Sequence, residues 1–198
     1  MLEKVDPHTK QSLMAFDNIN ELFSLLSADV SASFEMQIRY PDDQFLRRNA
    51  VRTAWAFIEG VTFGFKHWLL TICDLAKEPL TRSERTLLTE MIFKMNEKGE
   101  FKQFPIRERT NSNIGKVFKL LGKKLDMNWS PDFNDKNWCA MRDSLKVRHR
   151  VTHPKRSQDL TISYDEMQKV NSSMKWMFKT FAEFSEKPLA KIDEYKSE

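Results

Sequence analysis

The sequence predicts an all-α fold: a single-domain bundle of five or six helices over residues 1–198. Three observations carry that expectation. Apolar residues recur at three- and four-residue steps along most of the chain. Glycine is scarce, at 5 of 198 residues, and proline modest at 7. Phe, Met and Trp are plentiful, at 15, 10 and 5. Large apolar side chains on a helical period, with few turn formers, favour long helices over a strand-and-turn architecture. The length suits one domain with a real core, and 40% hydrophobic with 30% charged residues is a globular rather than a disordered balance.

The elements run in order along the chain. Residues 9–38 read as a helix, with Leu13, Phe16, Ile19, Leu22, Phe23 and Leu26 on one face. Pro41-Asp42-Asp43 makes a break and a new start. A long helix then spans residues 44–76, with Phe45, Ala54, Phe57, Ile58, Val61, Phe65, Trp68 and Ile72 inward. Gly60 and Gly64 lie four apart in it, a spacing that either permits close approach of a neighbouring helix or is a tolerated irregularity. Pro79 closes this stretch, and Thr81-Arg82-Ser83-Glu84 has the form of a capping box that starts a helix running to about Asn96. Residues 97–110 lack periodicity and read as an ordered or partly mobile loop. Helix returns over residues 113–125, with Ile114, Val117, Phe118, Leu121 and Leu125 inward. Trp129-Ser130-Pro131-Asp132-Phe133 is a turn, and the next helix starts near Asn134-Asp135 with Trp138, Met141 and Leu145 buried. Pro154 has no N–H for the helical ladder and disfavours helix at His153, so that helix ends there. After a polar loop, Ser163-Tyr164-Asp165-Glu166 is a second capping box. It launches a last helix through Met167, Val170, Met174, Met177, Phe178, Phe181 and Phe184.

Composition narrows the function classes. Cys73 and Cys139 are far apart in apolar helical patterns, which points to reduced thiols in a cytoplasmic protein rather than a disulfide framework. The start, Met1-Leu2-Glu3-Lys4-Val5-Asp6, lacks the basic and apolar regions of a signal peptide. The longest apolar stretch, residues 54–75, is broken by Glu59, Lys66, His67 and Asp74, so it reads as a buried helix and no membrane association is expected. The net charge of +4 is mild. Its distribution says more: residues 142–156 carry Arg142, Lys146, Arg148, Arg150, Lys155 and Arg156 against the single acid Asp143.

The richest chemistry lies in that segment, at Arg148-His149-Arg150-Val151-Thr152-His153-Pro154. Cations in the last turn of a helix are favoured by its macrodipole, so a solvated helix end is the plain reading. A metal site built on His149 and His153 is disfavoured, because the neighbouring side chains are cationic and His8 and His67 add no ligand spacing; no metal or other cofactor is expected. A second reading is acid–base and electrophilic chemistry on phosphate. The 2′-hydroxyl of RNA can attack the adjacent phosphorus without a metal, given a proton-transfer group and cationic donors. Histidine titrates near neutrality, and arginine presents a fork that matches phosphate oxygens. On an ideal helix a five-residue step turns by about 500°, leaving Arg148 and His153 about 140° apart. A distorted last turn, or a second copy across a dimer axis, would have to bring them together. A third reading is phosphate binding without chemistry by Lys146, Arg148, Arg150, Lys155 and Arg156.

Arg148, four intervening residues, His153 and then Pro154, with a polar residue straight after the arginine, resembles the motif of HEPN domains. The likeness extends over residues 134–184 and is architectural before that. It implies a HEPN-like bundle, a homodimer whose two motifs form one cleft, and a metal-independent endoribonuclease of toxin–antitoxin, phage-defence or RNA-processing type, with RNA as substrate and a cognate antitoxin or defence-system protein as partner. Other members are inactive modules that bind RNA, a nucleotide or a protein. By the match, Arg148 binds the scissile phosphate, His153 transfers protons, and His149 is a supporting contact. Glu59, an acid in an apolar segment, is a candidate for orienting Arg148 or a histidine, although a solvent-facing residue or a pair with a lysine is the preferred reading. Tyr164 and the tryptophans read as core or interface residues rather than stacking platforms.

Overall fold

Among the described residues the chain forms six α-helices and one β-hairpin. The computed structural model describes residues 7–106, 109–125 and 127–197, with side chains between 14 and 186. The helices are α1 (Pro7–Arg39), α2 (Gln44–Leu75), α3 (Arg82–Thr89), α4 (Thr110–Lys124), α5 (Lys136–Thr152) and α6 (Tyr164–Ser197). The strands β1 (Met91–Met95) and β2 (Phe101–Pro105) lie between α3 and α4. The all-α expectation holds. Chain start 1–6, the side chains of His8 and Leu13, and residues 107–108 of the expected loop fall outside the described residues.

Contacts divide the chain into two compact units, residues 1–22 with 61–128, and residues 23–60 with 129–198. Helices α1 and α2 each contribute one half to either unit.

In the second unit an aromatic cluster joins three helices. The Phe23 ring of α1 stacks on Phe181 of α6, with centroids 3.7 Å apart, and meets Phe57 of α2 edge-on at 5.1 Å. Gly60 lets α1 approach closely, since a Cβ there would stand 2.8 Å from Leu26 Cδ1. A buried polar relay adds α5: Trp55 Nε1 donates to Ser144 Oγ at 3.1 Å, and Ser173 Oγ donates to the same oxygen at 2.9 Å. Both serines are fully buried, so each hydroxyl needs such a partner. The turn before α5 is held by Trp176 Nε1, which donates to the Asp132 carbonyl at 3.1 Å. Asp135 caps α5 through the Asn137 N–H. The Ser163–Glu166 capping box of α6 forms in both directions. One inward assignment changes: Phe45 is 62% exposed, because it lies in the first turn of α2, where Asp43 takes the N–H groups of Phe45 and Leu46.

In the first unit Phe16 packs on Trp68 and Phe65 meets Phe118 edge-on. The Thr81–Glu84 capping box forms as expected. The helix it starts is much shorter than expected, ending at Thr89 rather than near Asn96. The chain then turns into an antiparallel hairpin with Met91 opposite Pro105 and Met95 opposite Phe101. The turn of this hairpin explains the difference. Asn96 Oδ1 accepts from the Lys98 and Glu100 N–H groups, and Gly99 takes φ 79°, a conformation that costs glycine little. Residues 97–105 are therefore turn and strand rather than the expected ordered or partly mobile loop. Glu90 makes the reversal from α3 into β1 at φ 54°, which costs a non-glycine residue about 1–2 kcal/mol. Its carboxylate explains why glutamate stands there. It accepts from Lys66, which is 1% exposed, and from Asn113 Nδ2 at 3.0 Å. A buried ammonium without a partner would cost more than the backbone strain. Burial works to raise the Glu90 pKa, but the hydrogen bonds from Lys66 and Asn113 outweigh it and hold the carboxyl below its usual range.

Candidate functional site

Helix α5 remains regular to its end. Thr152 Oγ1 donates to the Arg148 carbonyl at 2.7 Å, and the His153 N–H donates to the His149 carbonyl at 2.9 Å. The chain leaves the helix only at His153, with φ −126° and ψ 60°. Arg52 of α2 donates to the Val151 carbonyl at 3.3 Å, satisfying one of the acceptors that a helix end leaves open. No distortion of the last turn therefore swings Arg148 towards His153. On an ideal helix residues five apart project about 140° apart, and no hydrogen bond joins Arg148 to His153 among the described residues.

Arg148 instead meets Glu59. Its Nη2 donates to Glu59 Oε2 at 2.9 Å, with the two side chains 23% and 38% exposed. The preferred sequence reading of Glu59, a solvent-facing acid or a partner of lysine, gives way to the rival one, an acid that orients Arg148. Arg148 Nη1 lies 3.4 Å from His149 Nδ1, so Glu59, Arg148 and His149 form a connected row. His149 and His153 are exposed one turn apart at the end of α5.

The basic cluster does not act as one patch. Arg150 is built into the chain: Nη1 faces the carbonyls of Thr161 at 2.7 Å, Asp159 at 3.1 Å and Gln158 at 3.3 Å, while Nη2 donates to Glu166 Oε1 at 2.6 Å. Its assignment as a phosphate contact is replaced by that of a clamp on the loop after α5. Lys146 is 78% exposed and pairs with Asp143 at 2.8 Å. Lys155 and Arg156 point outward from the loop. Their N–H groups bond the Asp159 carboxylate at 2.8 and 3.0 Å, and the Lys155 N–H foremost holds the Asp159 carboxyl below its ordinary range.

Residues that the sequence reading passed over fix this loop. Gln44 accepts from the Ile162 N–H and donates to its carbonyl. Arg47 donates to the same carbonyl at 2.6 Å, and Arg48 to that of Leu160 at 3.1 Å. Glu166, named only as a helix cap, also carries Arg150. The one sequence signal was the density of arginines in the first turns of α2, at 47, 48 and 52. The result is a helix end with two exposed histidines, an arginine oriented by a carboxylate, and a downstream loop fixed by the side chains of Gln44, Arg47, Arg48, Arg150 and Asp159.

Among the described residues no group of three or more His, Cys, Asp or Glu side chains converges to hold a metal. No helix among them is long and apolar enough to cross a membrane. Comparison of the chain with family models, with curated proteins and with solved structures finds no match.

Proposed function

We propose that the end of α5 is half of a phosphate-directed site and that the protein is a HEPN-like, metal-independent endoribonuclease acting as a homodimer. The observation that carries this reading is the Glu59–Arg148–His149 row ending beside an exposed His153. Glu59 orients the guanidinium, which stabilises charge on the phosphate. His153 takes or returns a proton as the 2′-hydroxyl attacks phosphorus and the 5′-oxygen leaves. Because Arg148 and His153 diverge on one helix, the arginine of one copy works with the histidine of the other. Purified protein should cut RNA in EDTA and leave 2′,3′-cyclic phosphate ends. Arg148→Ala and His153→Ala should each lose that activity; retained cleavage in both would remove the roles assigned to them.

The second reading is a non-catalytic module that binds RNA or a protein partner. The Arg148–Glu59 pair favours it, because the carboxylate offsets the charge that Arg148 would bring to a scissile phosphate, leaving RNA contact to the exposed Lys155 and Arg156. Intact RNA after incubation, with salt-sensitive retention of RNA that Lys155→Glu and Arg156→Glu weaken, would select this reading.

A further inference from the structure

The hairpin of the first unit has one edge taken and one edge open. At β1, Arg82 of α3 donates from Nη2 to the outward carbonyl of Phe93 at 3.1 Å. Every residue of β2 is exposed. The Asn96 N–H donates to the Glu100 carbonyl at 2.9 Å, and the Ile106 N–H to the Glu90 carbonyl at 2.8 Å. Bonded pairs of an antiparallel ladder fall on alternate residues, so in this register they fall on Ile92–Phe104 and Lys94–Lys102. The N–H and C=O groups of Phe101 and Gln103 therefore point away from β1, along the open edge. The two faces of the hairpin also differ, since paired residues share a face. Phe93, Met95 and Phe101, which are 49%, 64% and 72% exposed, make one face apolar. On the other, Lys94 stands directly opposite Lys102, a like-charge pair that costs the hairpin stability. Among the described residues the only carboxylate within ion-pair distance of either is Glu100, 4.0 Å from Lys102.

We propose that the open edge of β2 takes an extended segment of a partner protein as a third strand, and that this segment alternates apolar and acidic residues. Its backbone pairs with the outward groups of Phe101 and Gln103. Its side chains, at a period of two, fall alternately on the apolar face beside Phe101 and on the cationic face beside Lys102, with Lys94 behind it. The same features exclude other occupants. Two copies paired edge to edge would gather Lys94 and Lys102 of both chains on one face, so lysine guards this edge against self-association. A polyanion such as RNA would set phosphates against the outward carbonyls of the edge. A lipid surface would have to admit Glu97 and Glu100 at the tip before Phe101. The hairpin lies wholly in the first unit, and the proposal is independent of the reading of α5.

The test adds a blocked hexapeptide alternating valine and glutamate to the full-length protein and follows backbone amide signals. Those of Phe101 and Gln103 should move and their hydrogen exchange should slow, while the Ile162 amide of the second unit stays in place. A peptide of the same composition, with its valines and glutamates in two blocks, should bind roughly tenfold more weakly at low salt, as the loss of a few partly exposed charge contacts gives. Lys94→Glu with Lys102→Glu should turn the preference over, towards a peptide alternating valine and lysine. Unmoved Phe101 and Gln103 amides, or equal binding of the two arrangements, overturns the proposal. So does protection of those amides by oligouridylate or anionic vesicles in place of the peptide, or by rising protein concentration without it. These comparisons use the unaltered protein and remain decisive even if the double variant does not fold.

Discussion

The loop after α5 and helix α4 are both rich in cations and use them differently. Around the loop, guanidinium groups are turned inward. Arg150 closes on three carbonyls and Glu166, while Arg47 and Arg48 hold Ile162 and Leu160. On α4 the cations are lysines, single charges on flexible stems: Lys123 reaches Glu84 at 2.9 Å and Lys124 reaches Glu78 at 2.9 Å. Arginine's planar fork suits fixed, multiple acceptors, whereas lysine brings a compact point charge to a carboxylate. A count of positive charge along a sequence therefore overstates the surface available to a polyanion wherever the charge is arginine and backbone carbonyls lie nearby.

The contrast breaks most readily at Arg150. Arg150→Ala should destabilise the protein by about 2–4 kcal/mol, because charged hydrogen bonds are lost and Glu166 is left half-buried without its partner. The urea midpoint measures this, and Arg150→Lys should restore only part of it. A change within measurement error would mean the loop does not depend on the clamp. Glu59→Gln sharpens the comparison in the other direction. The pair is partly exposed, so the stability change should stay under about 1 kcal/mol. RNA cleavage should nevertheless fall by about an order of magnitude as Arg148 loses its orientation. Loss of stability without loss of cleavage would make Glu59 structural.

The smallest effect is expected in the first unit. The hydrogen bond from Lys123, with those from Thr81, lowers the Glu84 pKa from 4.5 to about 2. A carboxylate with a depressed folded-state pKa adds stability above its unfolded value and loses it as pH falls through the folded one. Wild type should therefore lose stability between pH 4.5 and about 2, and Glu84→Gln should show a shallower loss over that window. Urea midpoints at its two ends read the difference, and parallel slopes would count against the assignment.

The sequence made the long helices legible because their apolar residues keep one period and their starts carry side-chain caps: Thr81 with Glu84, and Ser163 with Glu166. It hid the hairpin because Met91-Ile92-Phe93-Lys94-Met95 is short and apolar enough to extend a helix, and Phe101 and Phe104 read as loop residues. Asn96 and Gly99, spaced for a tight turn, were the available signal. The reversal at Glu90 had none, since a left-handed glutamate is explained by partners distant in sequence, Lys66 and Asn113. At the candidate site the residue types of Arg148, His149 and His153 were legible from spacing; Glu59 stood out by its apolar setting, but its pairing with Arg148 was the less favoured reading. The partners of Arg150 were not. Carbonyls carry no side-chain signature, so a clamp on residues 158–161 looks like one more basic residue.

The central claim is that Arg148 and His153 act from different copies of the chain. Arg148→Ala and His153→Ala proteins should be purified separately, mixed under conditions that exchange subunits, and assayed on RNA in EDTA. A mixed dimer retains one Arg148 and one His153 on opposite chains. The account predicts that two inactive proteins regain cleavage on mixing; a mixture that exchanges subunits and stays inactive would contradict it.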